Sequence, residues 1–295
     1  GRFSPCADGF DARVMFGRAP FAEQARRAVI AFGGIKSHGG IITRVLMELL
    51  QNSRENKKRF SQRSLRTLRL RKGFDNEYPF TLIIGRMLTE YHIEIIFEAL
   101  GDSIHPRALG MMSTANVKQD QFFTGFFGHD EFHCDNNAFA KTDAYIEKQR
   151  ALALSSLQNN DVVAAWQAFG RMSHSFQDFY AHSNYVTLWL NRFDSKTPPP
   201  PGEIDPVSPD LLHSPDLRSG RTYNPLELLY FIKGLRAHVL PLIPRDSHAW
   251  MNLDSPAQGF KFEYAMQAAI KRTRIEYEKT MRGLPKELIK LFSSG

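Results

Sequence analysis

Only two cysteines, Cys6 and Cys134, occur in 295 residues, too few for a disulfide framework. Either they pair in a secreted chain, or they remain free thiols in a reducing compartment. No apolar run reaches the roughly 18 residues that a membrane-spanning helix needs, and no targeting segment is visible. No internal repeat and no convincing alternation of apolar and polar residues occur, which argues against solenoids and sheet folds. The Gly-Gly-x-x-x-x-Gly-Gly pattern at 33–40 lacks a following Gly-Lys-Ser/Thr, so it is not a nucleotide phosphate loop. No Gly-x-Ser-x-Gly elbow is present either, so an activated serine of that kind is excluded.

The charge is concentrated in one place. Arg54 to Lys72 carries nine Lys/Arg against one Glu, a net +8, while the whole chain is +7. Everything outside this segment therefore sums to −1. Such a block attracts the phosphates of nucleic acid or of an anionic membrane surface, and a solvated basic arm explains it equally well. Phe60 is its only aromatic residue, which argues against stacking on single-stranded bases.

The most informative stretch is Gly170-Arg-Met-Ser-His-Ser-Phe-Gln-Asp-Phe-Tyr-Ala-His-Ser-Asn-Tyr-Val186, with His174, Asp178 and His182 four residues apart. Asp161 stands at an N-cap position, and Val162, Trp166, Phe169, Met172 and Phe176 recur at helical spacing. The spacing predicts one helix from Asp161 to Trp189, with the three polar residues on one stripe. The rise from His174 to His182 is about 12 Å, too far for one ion, so the spacing suits two or more ions with Asp178 between the histidines. The plainer alternative is a solvated polar face, and the surrounding Phe176, Phe179, Tyr180 and Tyr185 argue for enclosure.

This stretch resembles the signature helix of Het-C-type heterokaryon-incompatibility proteins. More distantly, it is similar to zinc-dependent phospholipase C and fungal single-strand nucleases. The resemblance implies an all-α domain with two or three zinc ions that hydrolyses phosphodiesters. It also suggests further ligands. His92, in Thr89-Glu-Tyr-His-Ile-Glu-Ile-Ile-Phe-Glu-Ala-Leu100, is similar to an early ligand of these families, and a satisfied core histidine is the alternative. Asp120 and His133 stand at a comparable gap to a family Asp–His pair. His248 and Asp254, in His-Ala-Trp-Met-Asn-Leu-Asp-Ser, resemble a Het-C-type element. Glu263 or Tyr264 falls near another ligand position of the families.

His133 lies in an unusually dense run, Gly128-His-Asp-Glu-Phe-His-Cys-Asp-Asn-Asn137. An extended conformation would aim His133 and Asp135 the same way, Cys134 could serve as a thiolate ligand, and an Asp/Asn-rich turn is the bland explanation. Elsewhere the sequence predicts helices at 41–51, 79–100, 143–157, 225–242 and 260–282. A loop rich in Pro, Ser and Asp at 194–225 is expected to shape an active-site mouth, with His213 at the surface. The fold class is therefore all-α, divided into an extension at 1–75 and a metal-binding domain at 76–295.

The family pattern groups Asp120, His133, His174 and Asp178 around one ion. His92 shares Asp178 for a second, and His182, His248 and Asp254 hold a third. Asp178 and Asp120 stand as the catalytic carboxylates. The chemistry expected is water activation on a phosphodiester, either a lipid headgroup or nucleic acid. Lewis-acid chemistry on a small molecule and a structural zinc in an interaction protein are the alternatives.

Overall fold

The structure is a computed structural model that describes residues 89–121, 128–230, 232 and 234–294. The expected boundary near residue 76, the helix at 41–51, the basic segment at 54–72 and Cys6 lie outside the described residues. The chain is all-α: its described residues form twelve α-helices and four short 3-10 turns, with no strand among them. The helices are α1 (Thr89–Leu100), α2 (Pro106–Val117), α3 (Asp130–His133), α4 (Phe139–Gln158), α5 (Val162–His182) and α6 (Tyr185–Leu190). They continue as α7 (Pro209–Leu212), α8 (Leu226–Tyr230), α9 (Arg236–Val239), α10 (His248–Met251), α11 (Lys261–Met281) and α12 (Lys286–Ser294). No described helix is long and apolar enough to cross a membrane.

Helix α5 is the axis of the fold. Its first turn is closed by Asp161, whose carboxylate accepts from the Ala164 amide at 3.0 Å. It packs against α2, α4 and α11, and α1 closes over α2 and α11. Trp166, Phe169, Met172 and Phe176 are essentially inaccessible and form a core with α1, α2 and α12. Tyr180, with Tyr185 and Trp189 beyond it, enters a second core with α11. Burying each such side chain contributes about 1.5–3 kcal/mol. Gly170 sets how closely α5 approaches α2, because a Cβ there would lie 2.2 Å from the Met112 carbonyl oxygen.

The helix predicted to run from Asp161 to Trp189 is broken after His182. Ser183 is extended and bridges to Ser219. The Gly220 amide donates to the His182 carbonyl at 2.9 Å, and Asn184 exchanges hydrogen bonds with the backbone of Arg218. Pairing with a distant segment thus replaces the helical hydrogen bonds that local propensity would have continued. The helix expected over 225–242 is likewise divided, into α8, α9 and a 3-10 turn at Leu240–Leu242. A further helix, α12, follows the one expected to be last, and its Phe292 carbonyl accepts from the Trp166 indole at 2.7 Å.

The proline-rich stretch is fastened down by tyrosines. Hydroxyls of Tyr180, Tyr185 and Tyr264 each donate at 2.6 Å to the carbonyls of Pro206, Asp205 and Pro199. Its end, 219–222, runs past the polar stripe of α5. His213 is exposed.

Candidate metal centre

The polar stripe of α5 gathers side chains from four other elements into two adjacent groups. In the first, α5 provides His174 and Asp178, α1 provides His92, the 3-10 turn after α2 provides Asp120, and the last residue of α3 is His133. Asp178 uses both oxygens: Oδ1 lies 3.3 Å from His92 Nε2, while Oδ2 lies 2.9 Å from His133 Nδ1 and 3.1 Å from His174 Nε2. Asp120 spans the same pair of rings, with Oδ1 3.7 Å from His174 Nε2 and Oδ2 4.0 Å from His92 Nε2. A tetrahedral zinc with ligand bonds near 2.1 Å sets its donor atoms about 3.4 Å apart, so these separations fit. All five side chains are buried, the most exposed being Asp120 at 8%.

A chain of hydrogen bonds fixes which ring nitrogens face the carboxylates. Ser173 spends its hydroxyl proton on the Gly170 carbonyl at 2.8 Å, so its oxygen must accept from Asn116 Nδ2, also at 2.8 Å. Asn116 Nδ2 donates in addition to Gln177 Oε1 at 3.0 Å, and its own oxygen turns to His174 Nδ1 at 3.3 Å. Gln177 Oε1 meets His92 Nδ1 at 2.7 Å. Both imidazoles therefore carry a proton on Nδ1, which leaves Nε2, on the carboxylate side, as the nitrogen that takes a second proton or a metal ion. Carbonyl oxygens that hold the far nitrogen of a histidine are the usual support of a metal site.

The second group is made by His182 of α5, His248 at the start of α10, Asp135 and Asp254. Asp254 faces the Nε2 side of both rings, at 3.1 Å from His182 and 3.6 Å from His248. Asp135 faces the Nδ1 side of both, at 3.3 and 3.6 Å. The rings lie 4.2 Å apart between the two carboxylates. Gly220 permits this packing, since a Cβ there would lie 2.5 Å from the His248 Cα.

Charge in these groups is strongly interdependent. Burial alone would keep His92 neutral, but the Asp178 and Asp120 carboxylates outweigh it and push its pKa up to about 9. Burial prevails at His174, aided by the nearby His92, and lowers it. Burial opposes ionisation of Asp178, yet the surrounding histidines hold it well below the usual carboxylate range. Against the cost of burial, the Asp178 carboxylate first, then Asp135 and Asp254, raise His182 well above its ordinary value, and the His182 charge holds Asp254 down to about 2. Neutral rings would set lone pairs against carboxylate oxygens, so these groups need cations between them, whether protons or metal ions. His92 Nε2, Asp178 Oδ1 and Asp120 Oδ2 make no hydrogen bond although all are buried. Atoms that converge without hydrogen-bond geometry suit a shared ion better than a proton.

All eight residues singled out in the sequence, His92, Asp120, His133, His174, Asp178, His182, His248 and Asp254, are brought together. Asp135 joins them, but not by the extended conformation expected. His133 ends a helical turn and Cys134 is left-handed with φ of 56°, so residues 133 and 135 reach different groups. Cys134 is buried outside both, its thiol pushed up by burial. His129 and Glu131 pair with each other nearer the surface. Glu263 is exposed and Tyr264 binds the Pro199 carbonyl, so neither reaches the site. Asn116 and Gln177 were missed: a neutral amide carries no ligand signature in a sequence. Asp135 had a signal, its place two residues after His133.

Comparison with known families gives a match to the VWA7 N-terminal domain over residues 95–207. That span covers Asp120, His133, Asp135, His174, Asp178 and His182, and leaves His92, His248 and Asp254 outside. No curated protein and no solved structure matches the chain.

Proposed function

We propose that this chain is a zinc-dependent phosphodiester hydrolase whose ions are held by the two groups along α5. The observation that carries the reading is the pair of Nε2 atoms on His92 and His174, aimed with Asp120 and Asp178 at shared points while amide oxygens occupy both Nδ1 protons. Two nitrogen and several carboxylate donors at these separations suit zinc, whereas calcium and magnesium prefer oxygen alone. Zinc held there would supply Lewis acidity, polarising a phosphoryl oxygen and making water more acidic. The chain's own residues do the rest. Asp178 and Asp120 span the rings of the first group and would hold ions between them, while Gln177 and Asn116 hold the rings in one tautomer. The resemblance of 170–186 to Het-C-type proteins and, more distantly, to zinc phospholipases and nucleases points to a phosphodiester substrate. The basic segment at 54–72 fits the same phosphate chemistry, on a lipid headgroup or a nucleic acid.

A structural zinc centre is the second reading, and the near-complete burial of the donors favours it. Hydrolysis of bis(p-nitrophenyl) phosphate separates the two. The hydrolase reading expects turnover that a chelator abolishes, added zinc restores and Asp178→Asn removes. Full zinc content without turnover of this or any lipid or nucleic-acid diester would support the structural reading.

A further inference from the structure

Glu227, on α8, is fully buried and is not one of the donors of either group. We propose that it is a supporting carboxylate of the second group, a positioning residue that fixes His248 through the Ala249 amide and adds negative charge beside it. The inference rests on the zinc reading above.

His248 is delivered by a segment with a small core of its own. Leu229, Tyr230, Val239, Ile243 and Ala249 pack together there, apart from the two cores along α5. Helix α10 has four residues, and Ser247 before it makes no side-chain cap, so local structure does little to fix its start. Distant partners do so instead. The His248 amide donates to the Arg221 carbonyl at 3.0 Å, and the Ala249 amide donates to Glu227 Oε1 at 2.5 Å. Glu227 is steadied in turn by its own amide, which donates to the Tyr223 carbonyl at 3.0 Å.

Anchoring alone does not account for a carboxylate at this place. Any buried oxygen could accept from Ala249, and a neutral amide would do so without the cost of burying a charge. Glu227 Oε2 is buried and has no hydrogen-bond partner, so only a nearby positive charge can compensate it. Burial pushes this carboxyl up to about 7, and the foremost charge opposing that shift is His248, while Asp135 acts in the same sense as burial. Glu227 therefore lies within the field of the second group. With zinc bound there, a strong positive charge would stand close to it, and its carboxylate would strengthen the binding.

The test is zinc titration of the full chain and of Glu227→Gln, monitored by histidine ring-nitrogen NMR, which reads the two groups separately. Glutamine keeps an acceptor for the Ala249 amide and loses the charge. Glu227→Gln should weaken the zinc that shifts the His248 nitrogens about 10- to 100-fold and leave the zinc on His92 and His174 unchanged. A residue that only holds the fold would leave both unchanged in this variant. That result would overturn the inference, as would equal weakening at the two groups. Hydrogen exchange of the Ala249 amide in the unaltered protein needs no variant to fold. It should slow about 10-fold on zinc loading, and exchange that ignores zinc would contradict the coupling. Zinc on the first group alone, with His248 unshifted, would sink this inference and leave the zinc reading standing. No zinc at all would end both.

Discussion

At the residue scale, the decisive feature is the control of ring orientation by neutral amides. Gln177 contributes no charge, yet it accepts from His92 and from Asn116. Gln177→Leu should leave every donor in place while weakening zinc binding about 10- to 100-fold. The unsatisfied His92 N–H should also cost about 1–3 kcal/mol of stability. Calorimetric zinc titration and thermal unfolding check the two halves. His92 supplies a second prediction, through pH. In metal-free protein its raised pKa contributes stability that is fully present below about pH 6.5 and is lost as pH rises through about 9. Zinc must displace that proton, so zinc affinity should rise over the same window. Thermal melts of metal-free and zinc-loaded protein between pH 6.5 and 9 should consequently trend in opposite directions, and parallel trends would contradict the assignment of His92 as a ligand.

The scale of elements is where the sequence was most and least legible. Helix α5 was plain because its N-cap and apolar period agree, and its four-residue His-Asp-His spacing put the stripe on one face. Its end was not, because Ser183 and Asn184 leave the helix only through partners some 35 residues later. Asp135 was visible beside His133, but which group it reaches was not, because that depends on the left-handed turn at Cys134. Close helix contact gives a paired prediction. Gly170→Ala would force its Cβ against the Met112 carbonyl, whereas Gly110 in α2 has nothing within 4 Å. Gly170→Ala should destabilise by about 1–3 kcal/mol, and Gly110→Ala should stabilise by about 0.5–1 kcal/mol. Denaturant unfolding of both variants checks the contrast; equal effects would mean that Gly170 does not set the distance between α5 and α2.

For the whole molecule, metal and fold become one question. Elements as distant in sequence as α1 and α10 meet along α5 through charged, buried side chains rather than through apolar contact alone. Burying such charges without compensation costs several kcal/mol per ion, and ions bound between them would return that cost as folding stability. Chelation should therefore lower the unfolding temperature by several degrees, reversibly on adding zinc back, and an unchanged melting curve would mean that the groups are held by protons alone.

The most direct test of the central claim is metal content per chain, by elemental analysis of protein purified without chelator or metal-affinity resin. Two or three zinc equivalents, reduced in both His174→Ala and Asp178→Asn, is the result expected from the geometry along α5. Metal-free protein that takes up no zinc when it is added back, or full occupancy in both variants, would contradict it.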